Sequence, residues 1–264
     1  MNTRVGTVHL AIDGAVARIT LSNPARYNAM SLTMWASLAD GVATINADQK
    51  VRVALLQGDG EKAFVSGADI AEFESQRNSA VAVQRYDEAV ARAIAALTEC
   101  PIPVVARIHG VCMGGGMSLA LSCDLRYSTR SARFRMPAAR LGLGYSAQGM
   151  RRMVEVLGVA RTAEVFYTAR TFDGSEAERI GLVHAAYEDA KLDEAVEHTV
   201  AAIAENAPLT IRAAKLAIRH SLPSPDKQHV RSIDLAVQTC FESADYVEGY
   251  RAFMEKRPPR FNGR

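Results

Sequence analysis

Two glycine-bearing turns hold the residues best suited to chemistry: Phe64-Val65-Ser66-Gly67-Ala68-Asp69-Ile70 and Cys112-Met113-Gly114-Gly115-Gly116-Met117-Ser118. Each follows a β-rich run and precedes a helical pattern, so each is read as the start of a helix. A helix start leaves several N–H groups without intrahelical acceptors, and its dipole favours negative charge there. Glycine lets the main chain approach a ligand closely. The N–H groups of Ser66 and Gly115, converging on one carbonyl oxygen, would form an oxyanion hole. Taken singly, each turn reads as a tight connection that needs glycine for backbone reasons. The repeated order of strand, turn and helix is what gives the pair weight. No carboxylate stands beside the second turn, where general acid–base chemistry would need one.

The elements that must carry these turns alternate along the chain. Val8 to Ile12 and Ala15 to Leu21 alternate apolar and polar residues around Asp13-Gly14, the signature of a β-hairpin. Asn23-Pro24 ends the second strand, and Ser31 caps a helix running to about Ile45. Val51 to Gln57 and Pro103 to Ile108 are further β-rich runs with helical patterns between and after them, which predicts an α/β core. From Lys191 to Met254 the pattern is helical, with Pro208 in a first turn and Pro223-Ser224-Pro225 as a break. There Ile203, Ile211, Ala214, Leu216, Ile218, Ile233, Val237 and Phe241 make amphipathic faces that need a surface to cover, in the same subunit or a neighbour. The expected division is a core over 1–190 and a helical region over 191–264.

Composition narrows the classes. With 264 residues, 48% apolar and 23% charged, the chain has the make-up of a soluble globular protein able to bury a sizeable core. A net charge of +2 gives no argument for nucleic acid or a membrane surface. No run of about 18 apolar residues predicts a spanning helix, and the N-terminus enters strand-like sequence without a signal-peptide pattern. Cys100, Cys112, Cys123 and Cys240 lack CxxC spacing and read as reduced residues of a cytoplasmic protein. The histidines form no i, i+4 pair, so no metal is expected. Gly142-x-Gly144-x-x-Ala147 fits a loose dinucleotide fingerprint but follows no β-rich run. Arg126, Arg130, Arg133, Arg135, Arg140, Arg151, Arg152 and Arg161 follow no single period and read as a solvated face or subunit contacts, with attraction of phosphates as the alternative. His109, at a strand end near the second turn, reads as a buried, hydrogen-bonded side chain or as a proton-transfer group.

The motifs in order resemble the crotonase superfamily, which includes enoyl-CoA hydratases and isomerases. The resemblance rests on Asn23-Pro24-Ala25-Arg26-Tyr27-Asn28-Ala29, on Glu61 through Ile70, on His109-Gly110 through Gly116 to Cys123-Asp124, and on Glu176-Ala177, Gly181-Leu182-Val183 and Phe253-Met254-Glu255-Lys256-Arg257. It implies a spiral of ββα units followed by helices that build trimers or dimers of trimers. It implies an acyl-CoA substrate, with CoA as part of the substrate and no permanently bound cofactor. Ser66 and Gly115 would supply the oxyanion N–H groups. Arg26, Asn28, Ala29, Ala63, Ser66, Ala68, Asp69, Ile70, Gly114, Pro137 and Arg140 would line the acyl-CoA site, and Lys256 would reach the CoA phosphates of a neighbour.

The pattern departs from the hydratases at the proton-transfer positions. Hydratases of the superfamily carry glutamates where this chain has Ser118 and Ala138, and related isomerases and dehalogenases carry an aspartate where it has Ser146. Serine without an activator is no comparable base, and alanine is none. Ordinary hydration is therefore not what these residues imply. Arg140 through Tyr145 and Asp245 through Arg257 resemble the methylmalonyl-CoA decarboxylase branch, in which a tyrosine matches Tyr145 and a histidine stands where this chain has Ala68. Tyr145 would orient or protonate the substrate, with Ser118 beside it, or else pack in the pocket wall. Arg140 would pair with an acyl carboxylate. Decarboxylation, isomerisation, residual hydration and a catalytically silent acyl-CoA-binding subunit all remain open at this point.

Overall fold

The computed structural model describes residues 6–69, 72, 80–220, 235 and 238–261. The chain divides into two compact units, one formed by the described residues of 1–134 and 172–221, the other by those of 135–171 and 222–264. The sequence division at 190/191 runs differently. Residues 192–220 group with the sheets, and 135–171 group with the C-terminal segment.

In the first unit β1 (Thr7–Asp13) and β2 (Val16–Ser22) form the expected antiparallel hairpin, in register from Thr7 opposite Ser22 to Asp13 opposite Val16. They lead into β3 (Val53–Gly58), β5 (Val104–Ile108), β7 (Leu125–Thr129) and β10 (Ala185–Tyr187), giving a sheet of order β1-β2-β3-β5-β7-β10 that is parallel from β2 onward. A second sheet takes β4 (Ala63–Val65), β6 (Val111–Met113), β8 (Arg133–Arg135) and β9 (Phe172–Asp173), in that order.

The helices of this unit are α1 (Leu32–Ala47), α2 (Ala80–Glu99), α3 (Gly115–Ser122), then α5 (Gly174–Arg179), α6 (Leu192–Glu205) and α7 (Pro208–His220), with α4 (Ala147–Thr168) in the second unit. Ser31 caps α1 as its type predicts, its Oγ accepting the Met34 N–H at 3.2 Å. On α6, Leu192, Val196 and Val200 recur every four residues and pack on Val53, Leu55 and Val105 of β3 and β5. That stripe covers one sheet face. The four-residue spacing explains why α6 belongs to the sheet unit.

On α7 the residue turned inward is a lysine. Leu216 and Ile218 are 59% and 69% exposed, whereas Lys215 is 8% exposed. Its Nζ donates to Asp124 Oδ2 at 2.6 Å and to Ile102 O at 2.8 Å. Ile233, Val237 and the Pro223-Ser224-Pro225 break lie outside the described residues. Among the described residues no helix is long and apolar enough to cross a membrane, and no three His, Cys, Asp or Glu side chains gather as a metal-binding group.

The second unit holds a short 3-10 turn (Ala138–Arg140), α4 and α8 (Ala244–Met254). Gly158 interrupts α4 at φ 72°, so the helix bends there. Beyond α8, Arg257 grips Glu248 at 2.6 and 2.9 Å, and the Arg260 N–H donates to the same carboxylate at 2.9 Å. Arg257 first, then that N–H, hold the Glu248 carboxyl down at about 2. A lowered folded-state value means this clasp is complete above the ordinary carboxylate range and is lost as pH falls toward about 2. Amide protection factors at the end of α8, corrected for the intrinsic pH dependence of exchange, are therefore expected to fall over that acid window, and Glu248→Gln to abolish the fall.

Candidate functional site

The two turns adjoin because the strands that lead into them are paired in parallel. β4 and β6 align Val65 with Cys112, and parallel neighbours leave a sheet at the same end. A Cβ placed on Gly116 would sit 2.1 Å from Val65 O, so only glycine allows this approach. Gly67 stands at φ 124°, a second position that requires glycine. A Cβ on Gly115 would lie 3.7 Å from the carbonyl carbon of Gly67, which sets Gly115 against the Gly67–Ala68 peptide.

The hydrogen bonds settle which N–H groups are unspent. The Ser66 N–H donates to Tyr27 O at 3.0 Å, and the Ser66 hydroxyl donates to Arg26 O at 3.1 Å. Ser66 is therefore not a free donor, which corrects the reading of its N–H as one half of an oxyanion hole. Two residues on, Met30 bridges Ala68: the Met30 N–H donates to Gly67 O at 2.8 Å and the Asp69 N–H donates to Met30 O at 2.9 Å. In a trans peptide the C=O and N–H point opposite ways. Since Gly67 O faces Met30, the Ala68 N–H faces away from it. Neither it nor the Gly115 N–H has an acceptor among the described residues. Gly115 is the first residue of α3, where the intrahelical ladder offers no acceptor and the dipole adds positive potential.

The residues expected to line the site mostly hold it together. Asn28, 1% exposed and left-handed at φ 55°, accepts the Asn23 N–H at 3.0 Å and donates to Ala63 O at 2.8 Å and Asp59 O at 3.1 Å. Its side chain ties residues 23–30 to β4. Asp69 accepts from Arg26 at 2.5 Å and Asn23 donates to Ala29 O at 2.9 Å, bracing the same loop. Arg26 keeps 41% of its side chain exposed. Asn28→Ala strands the Asn23 N–H and Ala63 O in the interior, while exposed Asp59 rehydrates. The expected loss is about 2 kcal/mol, at roughly 1 kcal/mol for each stranded group, measured by urea unfolding.

Ser118 lies one turn into α3, its N–H donating to Gly114 O at 3.1 Å and its hydroxyl to the same oxygen at 3.3 Å. Gly114 is the cap of α3, at φ 50° and ψ −114°. Burial pushes the Cys112 thiol far up, which makes it inert as a nucleophile. His109 shares a face of the sheet with Val105 and Arg107 by the two-residue period, the face that α6 covers. There its Nε2 meets Asp193 at 3.2 Å, beside the Arg107–Asp193 pair at 3.0 Å. It is a buried, partnered histidine, 6% exposed.

The arginine-rich stretch is used structurally in several places. Arg126, 5% exposed, donates to Cys123 O and Leu182 O, both at 2.7 Å. Arg130 pairs with Glu188, Arg151 and Arg152 with Glu155, and Arg161 with Glu164.

Pro137, Ala138, Arg140, Tyr145, Ser146 and Lys256 belong to the second unit. Tyr145 packs edge-on to Phe166 with centroids 5.5 Å apart, and its ring lies over Gly149. Ser146 caps α4 by accepting the Gly149 N–H at 3.2 Å. Arg140 and Lys256 are exposed. Ile70 lies outside the described residues.

The enoyl-CoA hydratase/isomerase family model matches residues 11–264. The chain belongs to the enoyl-CoA hydratase/isomerase family. Membership places it among enzymes that act on acyl-CoA thioesters, and the mixed α/β fold is the crotonase fold that the motifs imply. The crotonyl-CoA hydratase of Syntrophomonas wolfei is 30% identical over 247 residues, covering 93% of this chain and 94% of the relative. An enoyl-CoA hydratase/carnithine racemase from Magnetospirillum magneticum is 36% identical, covers 99% of this chain and 97% of its own, and superposes with a TM-score of 0.80. Methylmalonyl-CoA decarboxylase in complex with 2-nitronate-propionyl-CoA is 25% identical, covers 98% and 99%, and gives a TM-score of 0.87.

The motif alone does not mark the Ala68 N–H as unspent. The signal was the placement of Met30 against Gly67 and Asp69, which no local pattern in the first turn reveals.

Proposed function

We propose that the chain binds an acyl-CoA, polarises the thioester carbonyl between the N–H groups of Ala68 and Gly115, and stabilises an enolate. The observation that carries this reading is the pair of unspent N–H groups on adjoining turns, one of them at a helix start. Such donors act most strongly where charge develops on the oxygen. Ser66 holds the first turn in place through Tyr27 and Arg26 and does not itself bind the carbonyl.

Ser118 in place of a carboxylate selects among reactions. Hydration needs a group that takes a proton from water and another that gives one to carbon. A serine whose hydroxyl is directed at Gly114 O is no such base. Loss of carbon dioxide from a 2-carboxyacyl-CoA needs no base: the C–C bond to the carboxylate breaks, its electron pair becomes the enolate held at the thioester oxygen, and a proton from water then adds to carbon. The likeness to methylmalonyl-CoA decarboxylase supports this choice. CoA enters as part of the substrate. Assembly as a trimer, or a dimer of trimers, belongs to the same proposal and is supported by the apolar Leu209, Leu216 and Ile218 left 77%, 59% and 69% exposed on α7.

The test is incubation of the purified protein with a panel of acyl-CoAs, including methylmalonyl-CoA and crotonyl-CoA, with products identified by mass spectrometry. Release of carbon dioxide from a 2-carboxyacyl-CoA is the expected result. Rapid hydration of crotonyl-CoA that Ser118→Ala abolishes would overturn the assignment. Sedimentation of the same sample tests the assembly.

A further inference from the structure

We infer that Trp35 is a positioning residue that sets the separation of the two carbonyl-binding N–H groups, with Tyr86 fixing its ring. This inference rests on the proposed clamp at Ala68 and Gly115. Trp35 is the single tryptophan of the chain and is 1% exposed on α1. The Cζ2 and Cη2 atoms of its ring stand 3.2 and 3.6 Å from where a Gly115 Cβ would be, so the ring backs the second turn directly. The helix that carries it begins just after Met30, whose backbone holds the first turn by bonds to Gly67 and Asp69 on either side of Ala68. One rigid element therefore touches both turns, one through its entering main chain and the other through an aromatic edge.

The ring cannot slide, because its Nε1–H donates to Tyr86 Oη at 2.9 Å and Tyr86, on α2, is 4% exposed. A buried indole N–H with a partner is held in one orientation. Residues 30–35 thus act as a strut between the donors. A smaller side chain at position 35 leaves space behind Gly115 and lets α3 settle toward α1, separating its N–H from that of Ala68.

The experiment uses the acyl-CoA that the substrate panel identifies. Trp35→Leu is expected to lower kcat by about tenfold to a hundredfold, the effect of a small misplacement at a reacting centre, with KM little changed because the CoA contacts are untouched. Trp35→Phe restores part of the loss, and Tyr86→Phe, which keeps every ring, lowers kcat severalfold with the same KM. In the unmutated protein the emission of the lone tryptophan is expected to change on saturation with the substrate. Unchanged kcat in both Trp35→Phe and Tyr86→Phe, or a loss confined to KM, would overturn the inference. If Gly115→Pro also left kcat untouched, the clamp itself would be wrong; if Gly115→Pro were crippled while Trp35 variants were normal, only the strut would be.

Discussion

Replacing Gly115 by proline is expected to lower kcat by about 10² to 10³, the cost of removing one oxyanion donor, while leaving the protein folded. Gly115 is the first residue of α3, a position that tolerates proline because its N–H has no intrahelical acceptor. The substitution therefore removes the proposed donor and no helical bond. It also adds carbon atoms beside the Trp35 ring, where a Cβ would stand 3.2 Å from Cζ2. Gly115→Ala carries that same crowding and keeps the N–H. The ratio of kcat between the alanine and proline variants thus separates what happens at the N–H, its loss together with the Cδ that takes its place, from the Cβ packing against Trp35. If both variants lose activity equally, the N–H is not what the reaction uses. If neither does, the two turns are connections and the chemistry lies elsewhere.

The contrast between Gly115 and Ser66 shows where sequence reading stops. A helix start is a local event, and Gly114-Gly115-Gly116 followed by Met117-Ser118-Leu119-Ala120 announces it. The same holds for the Asp13-Gly14 hairpin and the Ser31 cap, each decided by one residue's conformational or hydrogen-bonding preference. Which N–H of the first turn is spent depends instead on Tyr27 and Met30 lying beside it, and that is settled by tertiary pairing. The strands β4, β6 and β8, of three residues each, are too short for alternation to register. Lys215 defeated periodicity for another reason: its partner Asp124 is far along the chain, so a charged residue occupies the inward face of a helix whose Leu209, Leu216 and Ile218 face out.

That pair carries the largest expected stability effect. Asp124 receives the Val104 N–H at 2.7 Å and Lys215 Nζ at 2.6 Å on the same oxygen, and its own N–H returns to Val104 O at 2.9 Å. It therefore stitches the end of the α3 segment to the start of β5 and receives α7 on top. The two partners differ in burial, with 8% of the Lys215 side chain and 32% of the Asp124 side chain exposed. Asp124→Ala strands the lysine charge in the interior and is expected to cost about 3–5 kcal/mol, the usual penalty for an uncompensated buried charge. Lys215→Met leaves a carboxylate that still holds the Val104 N–H and reaches water, so its expected cost is about 1 kcal/mol, as for a partly exposed pair. Urea unfolding of the two variants at neutral pH checks this order, and equal or reversed losses would contradict it. Since Asp124→Ala removes neither proposed donor, its folded fraction should retain far more turnover than Gly115→Pro. Stability and chemistry are thus separable at the two ends of the same short helix: its first N–H is the proposed donor, and the residues that follow its last turn anchor it to the sheet.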